Sequence, residues 1–464
     1  MTARGDRPDR VPTSIDPSTG AVLQEHPFFQ PDETESRLVR ARETFELWRS
    51  HSVAQRAEHL RALARVLREH QEDAAGLMAD EMGKPLAQGR AEIDKCAWLC
   101  EHFAEHGEAM LAPEVAATEA RRSYVAHQPL GVILAIMPWN FPWWQVLRFA
   151  VPALLAGNTV LLKHAPNTIG CAFAIERSLR EAGFPIGCFE TLVINHEDAA
   201  KVIADPRVVG VTLTGSTRAG RAVGEAAGRA LKKVVLELGG SDPYLVCGDA
   251  DLELAAEICV AARLHNSGQT CVAAKRFIVV DTVADEFCER MLARMRAAVV
   301  GPPREPATTG GPLARRDLRE ALHDQVERSV ASGARLLLGG EVPEGPGSFY
   351  PPTVLDGVRP GMPAADEELF GPVAAVMRVQ NEDEAIAVAN TSPYGLGAAI
   401  FSCDLERAET IARERLHAGC CFVNAQVRSD PRLPFGGVKQ SGHGRELGRA
   451  GLLEWVNHKT IWVG

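Results

Sequence analysis

The sequence predicts an α/β protein: a doubly wound domain of the nucleotide-binding type, a second α/β domain, and a small β element. Three observations lead there. Between Asn158 and Gly240 short apolar runs alternate with helical patterns, the alternation resumes near Pro243, and the chain closes on an aromatic, β-prone segment from Trp455 to Val463. Short buried strands alternating with helices signal a parallel sheet covered on both faces.

Taken in order, residues 34–106 carry apolar positions at helical spacing, as in Leu60, Leu63, Val66 and Leu67, and give a helical lead-in with no visible chemistry. Two β-rich runs, 123–127 and 132–136, flank the breaker cluster Pro129-Leu130-Gly131, so a projecting hairpin is expected. Strands at 159–162, 191–194, 208–213 and 234–236, with helices at 171–182 and 219–231, build the first sheet. Strands at 243–246, 277–280, 373–379, 398–401 and 420–423, with helices at 252–264 and 284–299, build the second. Residues 301–311 and 339–352 read as surface loops. The division is therefore 1–120 and 137–241 for dinucleotide binding, 242–430 for the second domain, and 121–136 with 431–464 for a hairpin and terminal β segment. A second subunit would cover that segment's edge.

With 464 residues and 46% hydrophobic content, the chain is long enough for two or three cores. Its 50 basic and 60 acidic residues give a formal charge of −10 with no long cationic run, which argues against nucleic-acid and anionic-membrane partners. Met1 to Arg10 are charged and precede no apolar core, and no stretch approaches ~18 apolar residues, so a cytoplasmic location is expected. Eleven cysteines scatter without CxxC or His-rich spacing, which suggests thiols in a reducing compartment and no metal.

Chemistry concentrates in three motifs. Cys271 ends Asn266-Ser267-Gly268-Gln269-Thr270-Cys271, where Gly268 allows a bend that exposes the thiol, a candidate nucleophile. Glu237 closes the apolar run Val234-Val235-Leu236 and precedes Leu238-Gly239-Gly240, which places its carboxylate in a cleft; partial burial would raise its pKa toward the range of a general base. Asn140 stands in Pro138-Trp139-Asn140-Phe141-Pro142 after a buried strand, where the residues by themselves favour an amide that stabilises a turn. Gly215-Ser216-Thr217-Arg218-Ala219-Gly220 follows a strand and opens a helix, a place that favours phosphate.

In order and spacing these motifs resemble the aldehyde dehydrogenase superfamily over nearly the whole chain. The resemblance implies a cysteine thioester mechanism with Cys271 as nucleophile, Glu237 as base, and Asn140 with the Cys271 N–H as oxyanion donors. It implies an NAD or NADP cofactor held by Trp139, Lys163, His164, Pro166, Gly215, Ser216, Gly220, Leu238, Glu368 and Phe370. An acidic residue that excludes the 2′-phosphate in NAD-strict members is here Pro166, so both cofactors stay open. Arg148, eight residues after Asn140, matches an arginine that grips the distal carboxylate in succinate semialdehyde dehydrogenases, although a helical arginine is as often a surface residue. A second arginine of that group is replaced by His265, which Arg428, Ser429 and Arg432 would offset; Trp144 and Phe435 would line the methylene chain. The position two residues after the nucleophile is Ala273, so no local disulfide control is expected. The implied reaction is oxidation of succinate semialdehyde to succinate, with a broad-specificity enzyme for other short or aromatic aldehydes as the alternative. The implied partners are a small aldehyde and a second or further copies of the chain, as a homodimer or homotetramer.

Overall fold

The computed structural model describes residues 11–464; the reading of Met1 to Arg10 falls outside the described residues. A hairpin of β1 (Thr13–Ile15) and β2 (Val22–Glu25) precedes four helices, α1 (Pro31–Trp48), α2 (Val53–Glu69), α3 (Gln71–Met82) and α4 (Leu86–Met110). Helix α2 shows local and global signals agreeing. The Ser52 hydroxyl accepts the Gln55 N–H while the Gln55 side chain accepts the Ser52 N–H, and Leu60, Leu63 and Leu67 bury one face.

After β3 (Glu114–Val115) and β4 (Arg122–Pro129) the chain enters the first large sheet: β5 (Val132–Met137), α5 (Trp144–Ala156), β6 (Thr159–His164), α6 (Ile169–Glu181), β7 (Phe189–Thr191), α7 (His196–Ala204), β8 (Val208–Thr214), α8 (Thr217–Arg229) and β9 (Lys233–Glu237). These strands are parallel in the order β9-β8-β5-β6-β7. Residues 238–241 lead into the second sheet, β10 (Asp242–Val246), then α9 (Leu252–Leu264), β11 (Ala274–Val280), β12 (Arg335–Leu338), β13 (Thr353–Asp356), β14 (Val373–Val379), β15 (Gly397–Phe401) and β16 (Cys420–Val423). Its order is β12-β13-β14-β11-β10-β15-β16, with β12 antiparallel to β13 and the rest parallel. The chain then returns to the first sheet, where β17 (Gly442–His443) pairs with β9, and ends in β18 (Val456–Val463), which lies along β4 in a sheet of order β18-β4-β3.

Three expectations need correction. Residues 123–136 do not form a hairpin: β4 pairs with β18 and β3, whereas β5 lies between β6 and β8. The near-continuous apolar run of β5 needs cover on both faces, which only the interior of the parallel sheet provides. Gly131 (φ +147°) passes the chain between the two sheets, with Val209 too close for a Cβ to fit easily. Residues 431–464 likewise do not form one terminal appendage, since Phe435 bridges Glu446 and β17 reaches β9. The strand expected at 191–194 lies at Phe189–Thr191, because the wholly buried Glu190 is held by Arg37 and Arg40 and so sits inside a strand that apolar patterning cannot recognise.

Candidate active site

The first sheet reverses its strand order beside β5, with β6 on one flank and β8 on the other. In open α/β sheets the carboxyl ends of strands at such a point form the ligand crevice. Trp139 and Asn140 follow β5, Lys163 ends β6 with His164, Gly215 and Ser216 follow β8, and Glu237 ends β9. Cys271 lies in the turn that leads into β11 of the other sheet. The linker brings the two sheets into contact: a Cβ on Gly240 would meet the Cys271 carbonyl oxygen at 2.8 Å.

The turn before Cys271 is held in an unusual shape. Asn266, Ser267 and Gly268 all have positive φ (54°, 54° and 75°), and the two non-glycine residues carry a cost of roughly 1–2 kcal/mol each. Surrounding hydrogen bonds hold them there: Asn266 Nδ2 donates to the Asn140 and Gln269 carbonyls, Ser267 Oγ to Gly311 O at 2.9 Å, and Arg263 to Gly268 O at 2.6 Å. A side chain at Gly268 would collide with Gly371. Asn140 is buried and donates from Nδ2 to Gln269 O at 3.0 Å, two residues before the thiol; an amide has two N–H groups, so one remains. Cys271 itself is partly open. Burial pushes its thiol up to about 12, and the nearby Arg148 and Lys275 cations pull it down. Lys275 also donates to the Cys271 carbonyl at 2.6 Å.

Glu237 is more deeply buried than expected. It is 2% exposed, and neither carboxyl oxygen has a hydrogen-bond partner among the described residues. Burial first, then the negative charge of Glu446, hold its pKa well above the ordinary carboxylate range, while Arg148 and Arg445 oppose the shift. A Cβ on Gly436 would lie 2.6 Å from Glu237 Oε1, so that glycine makes room for the carboxyl group.

The surroundings suit a dinucleotide. Ser216 is exposed and caps α8, its Oγ accepting the Ala219 N–H, and the first turn of this 13-residue helix, preceded by Gly215, suits a phosphate. Gly220 lets Leu238 pack under that turn, where a Cβ would meet the Leu238 side chain at 2.5 Å. Glu368 accepts the Gly240 N–H at 3.0 Å and lies 3.4 Å from the Lys275 ammonium, and a Cβ on Gly239 would lie 2.5 Å from its other oxygen. The Trp139 and Phe370 rings meet edge to face at 5.7 Å. Pro166 is exposed and uncharged. His164 departs from expectation: its Nε2–H donates to Pro142 O at 3.0 Å, its Nδ1 accepts the Ala165 N–H at 2.8 Å, and burial lowers its pKa to about 4. Both ring nitrogens are thus engaged, and the imidazole ties the end of β6 to the Asn140 loop.

Cys271 opens onto a cavity of about 260 Å³ lined by Trp144, Arg148, His265, Ser429 and Phe435, with Gln88, Glu92, Lys95, Phe141 and Arg428. Arg148, expected either to grip a carboxylate or to lie on the surface, borders the cavity but is already engaged. It is 1% exposed, bonded through Nε to Glu446 and through Nη2 to Thr214 at 3.4 Å, and stacked over Phe435 at 4.8 Å. His265 stacks on Phe141 and burial lowers it to about 4, so it stays neutral. Arg432 pairs with Asp430 rather than with the cavity. The lead-in helices, which showed no chemistry in the sequence, supply one wall through α4. Glu92 accepts the Trp143 and Trp144 N–H groups at 2.9 Å each and pairs with the buried Lys84. Glu92 is a buried charge on α4 and Lys84 one in the link before it, and a buried Lys or Glu is rare unless paired.

The sequence model described as the aldehyde dehydrogenase family matches residues 5–461, and the chain belongs to that family. Succinate semialdehyde dehydrogenase Sad of Escherichia coli K12, named for NAD(P)+, is 49% identical over 97% of both chains. A probable succinate-semialdehyde dehydrogenase of Synechocystis, named for NADP+, is 48% identical over 97% of this chain and 99% of the relative. Among solved structures, the succinic semialdehyde dehydrogenase of Streptococcus pyogenes in complex with NADP+ superposes with a TM-score of 0.95 at 37% identity, covering 97% of this chain and 99% of that one.

Proposed function

We propose that this chain oxidises a short aldehyde carrying a distal carboxylate, succinate semialdehyde foremost, to the corresponding acid with NAD or NADP as acceptor. The observation that carries the reading is the convergence of a partly open thiol, an amide N–H and a buried carboxyl where the two sheets meet, beside a cavity with cationic residues on its wall. The names of the similar proteins support the substrate.

Cys271 adds as thiolate to the aldehyde carbon, and Arg148 and Lys275 favour its ionised form. The Asn140 amide and the Cys271 N–H stabilise the oxyanion. Lys163, the Gly215–Gly220 turn, Glu368, Trp139 and Phe370 would hold the dinucleotide, which when bound would supply the hydride acceptor. After loss of hydride the acyl group stays on Cys271 as a thioester. Glu237 in its ionised form takes a proton from water, the hydroxide attacks the thioester carbon, and the acid leaves as the thiol is restored. The absence of an acidic side chain at Pro166 supports use of both cofactors. Eleven cysteines, free where described, suit a reducing cytoplasm.

The test is kcat/KM for succinate semialdehyde against butanal and benzaldehyde with each cofactor, with and without coenzyme A. The expected result is a preference for the carboxylated aldehyde and acid formation without coenzyme A. Equal rates on all three aldehydes, or a strict need for coenzyme A, would overturn the reading. The open edge of β18, with Trp462 53% exposed, supports a homodimer or homotetramer. Sedimentation that returned a monomer at micromolar concentration would contradict it.

A further inference from the structure

Three buried cations beside the cleft already have carboxylate partners among the described residues: Lys84 pairs with Glu92, Arg148 with Glu446, and Lys275 with Glu368. Lys95 differs. It projects from α4 into the cavity that contains Cys271, its ammonium 4.1 Å from the centre of the Trp144 ring and 3.0 Å from Ser429 Oγ. The acids nearest to it are otherwise engaged, Glu92 with Lys84 and Asp430 with Arg432.

Ser429 completes the arrangement. Its oxygen accepts from Lys95 and, at 3.1 Å, from the Trp144 indole N–H. A hydroxyl oxygen has two lone pairs and one proton, so two donors fill its accepting capacity and leave it able only to donate. Lys95 keeps two further N–H groups. The result is a donor-only corner with one positive charge, beside an aromatic wall, in a cavity that also holds the reacting thiol. Such a corner fits a carboxylate and offers nothing to a neutral aldehyde tail.

We infer that Lys95, with the Ser429 hydroxyl, is the residue that binds the distal carboxylate of the substrate and sets the preference for ω-carboxylated aldehydes, a role the Glu446-paired Arg148 does not fill. This rests on the substrate reading above. Trp144 packs the methylene chain between the two ends, and the neutral His265 adds no charge.

Burial lowers Lys95 to about 8, aided by the positive charge of Arg148 on α5 and opposed by Asp430 of the loop and by Glu92 and Cys96 of its own helix; His265 and Arg428 also border the cavity. The ammonium is therefore present below about pH 8 and lost above it. The ratio of kcat/KM for succinate semialdehyde to that for butanal removes the titrations of Cys271 and Glu237, which serve both substrates. That ratio is expected to be greatest below pH 8 and to decline above it.

The experiment measures this ratio in the wild-type enzyme, Lys95→Met and Lys95→Arg from about pH 6.5 to 9.5. Lys95→Met is expected to lower the ratio about 10- to 100-fold, mainly through KM for the acid substrate, and to abolish the decline above pH 8. Lys95→Arg is expected to restore most of the ratio. A ratio within about threefold of wild type in folded Lys95→Met would overturn the assignment. If that variant does not fold, a wild-type ratio that stays flat across the range overturns it instead. A wild-type enzyme with no preference for succinate semialdehyde sinks the substrate reading as well, whereas a preference that survives in Lys95→Met sinks the Lys95 assignment alone.

Discussion

The cavity has two ends that handle charge differently. Around Cys271 and Glu237, Arg148 is tied to Glu446 and Lys275 lies against Glu368 and two backbone carbonyls. At the α4 wall, Lys95 meets a hydroxyl and an indole face and pairs with no carboxylate among the described residues. A buried ion pair adds little net stability but is costly to break, so the inner charges serve as scaffold and as a fixed field on the thiol and carboxyl groups. A partly buried cation without a counter-ion has lost some of the hydration that a ligand's carboxylate would replace. On the proposed reading the two ends divide the work, with reaction at one and selection at the other.

Four substitutions would break or sharpen that division. Cys271→Ala is expected to reduce kcat by at least about 10⁴-fold for every aldehyde without lowering thermal stability; residual turnover near wild type would show that the inner end is not where reaction occurs. Glu237→Gln is expected to slow turnover by about 10²–10⁴-fold, yet rapid mixing should still show one equivalent of reduced cofactor in a burst, because only hydrolysis of the thioester is impaired. Loss of the burst would remove Glu237 from the hydrolytic step. Arg148→Met leaves Glu446 buried and unpaired, so urea unfolding should show a loss of about 3–5 kcal/mol, with a smaller change in substrate preference than Lys95→Met. The reverse pattern would exchange the roles of the two cations.

The smallest expected effect is a change in pH dependence. Glu446 is the second cause, after burial, of the raised Glu237 pKa, and Arg148 opposes it. Glu446→Gln removes the negative charge and frees Arg148 to act on Glu237 alone, so both changes lower the Glu237 pKa. A base works when ionised, and activity rises with pH through its pKa. The acidic limb of kcat should therefore move to lower pH in this variant, and a move to higher pH would contradict the coupling.

The motifs around Cys271, Glu237 and Asn140 were legible because each lies at a strand end or a turn, where local residue types report backbone shape. The hairpin expected at 123–136 failed because a breaker cluster marks where the chain turns and says nothing about which sheet receives the next strand. The setting of His164 was hidden for a related reason: its place in the sequence does not show that packing turns the imidazole toward Pro142 O. Lys95 went unseen because it lies in a helical stretch whose spacing marks which faces are buried but not what they face.

By itself, the sequence determined that two α/β units follow one another and that a thiol, a carboxylate and an amide occupy the turns at their edges. These follow from patterns a few residues long. Only the tertiary structure decided which polar groups meet: the charges of Arg148 and Glu446 across 298 residues, and the Lys95 ammonium with the Ser429 hydroxyl across 334. Coulomb and hydrogen-bond energies depend on distances of a few ångströms, and for residues so far apart along the chain those distances are set by how sheets and helices pack.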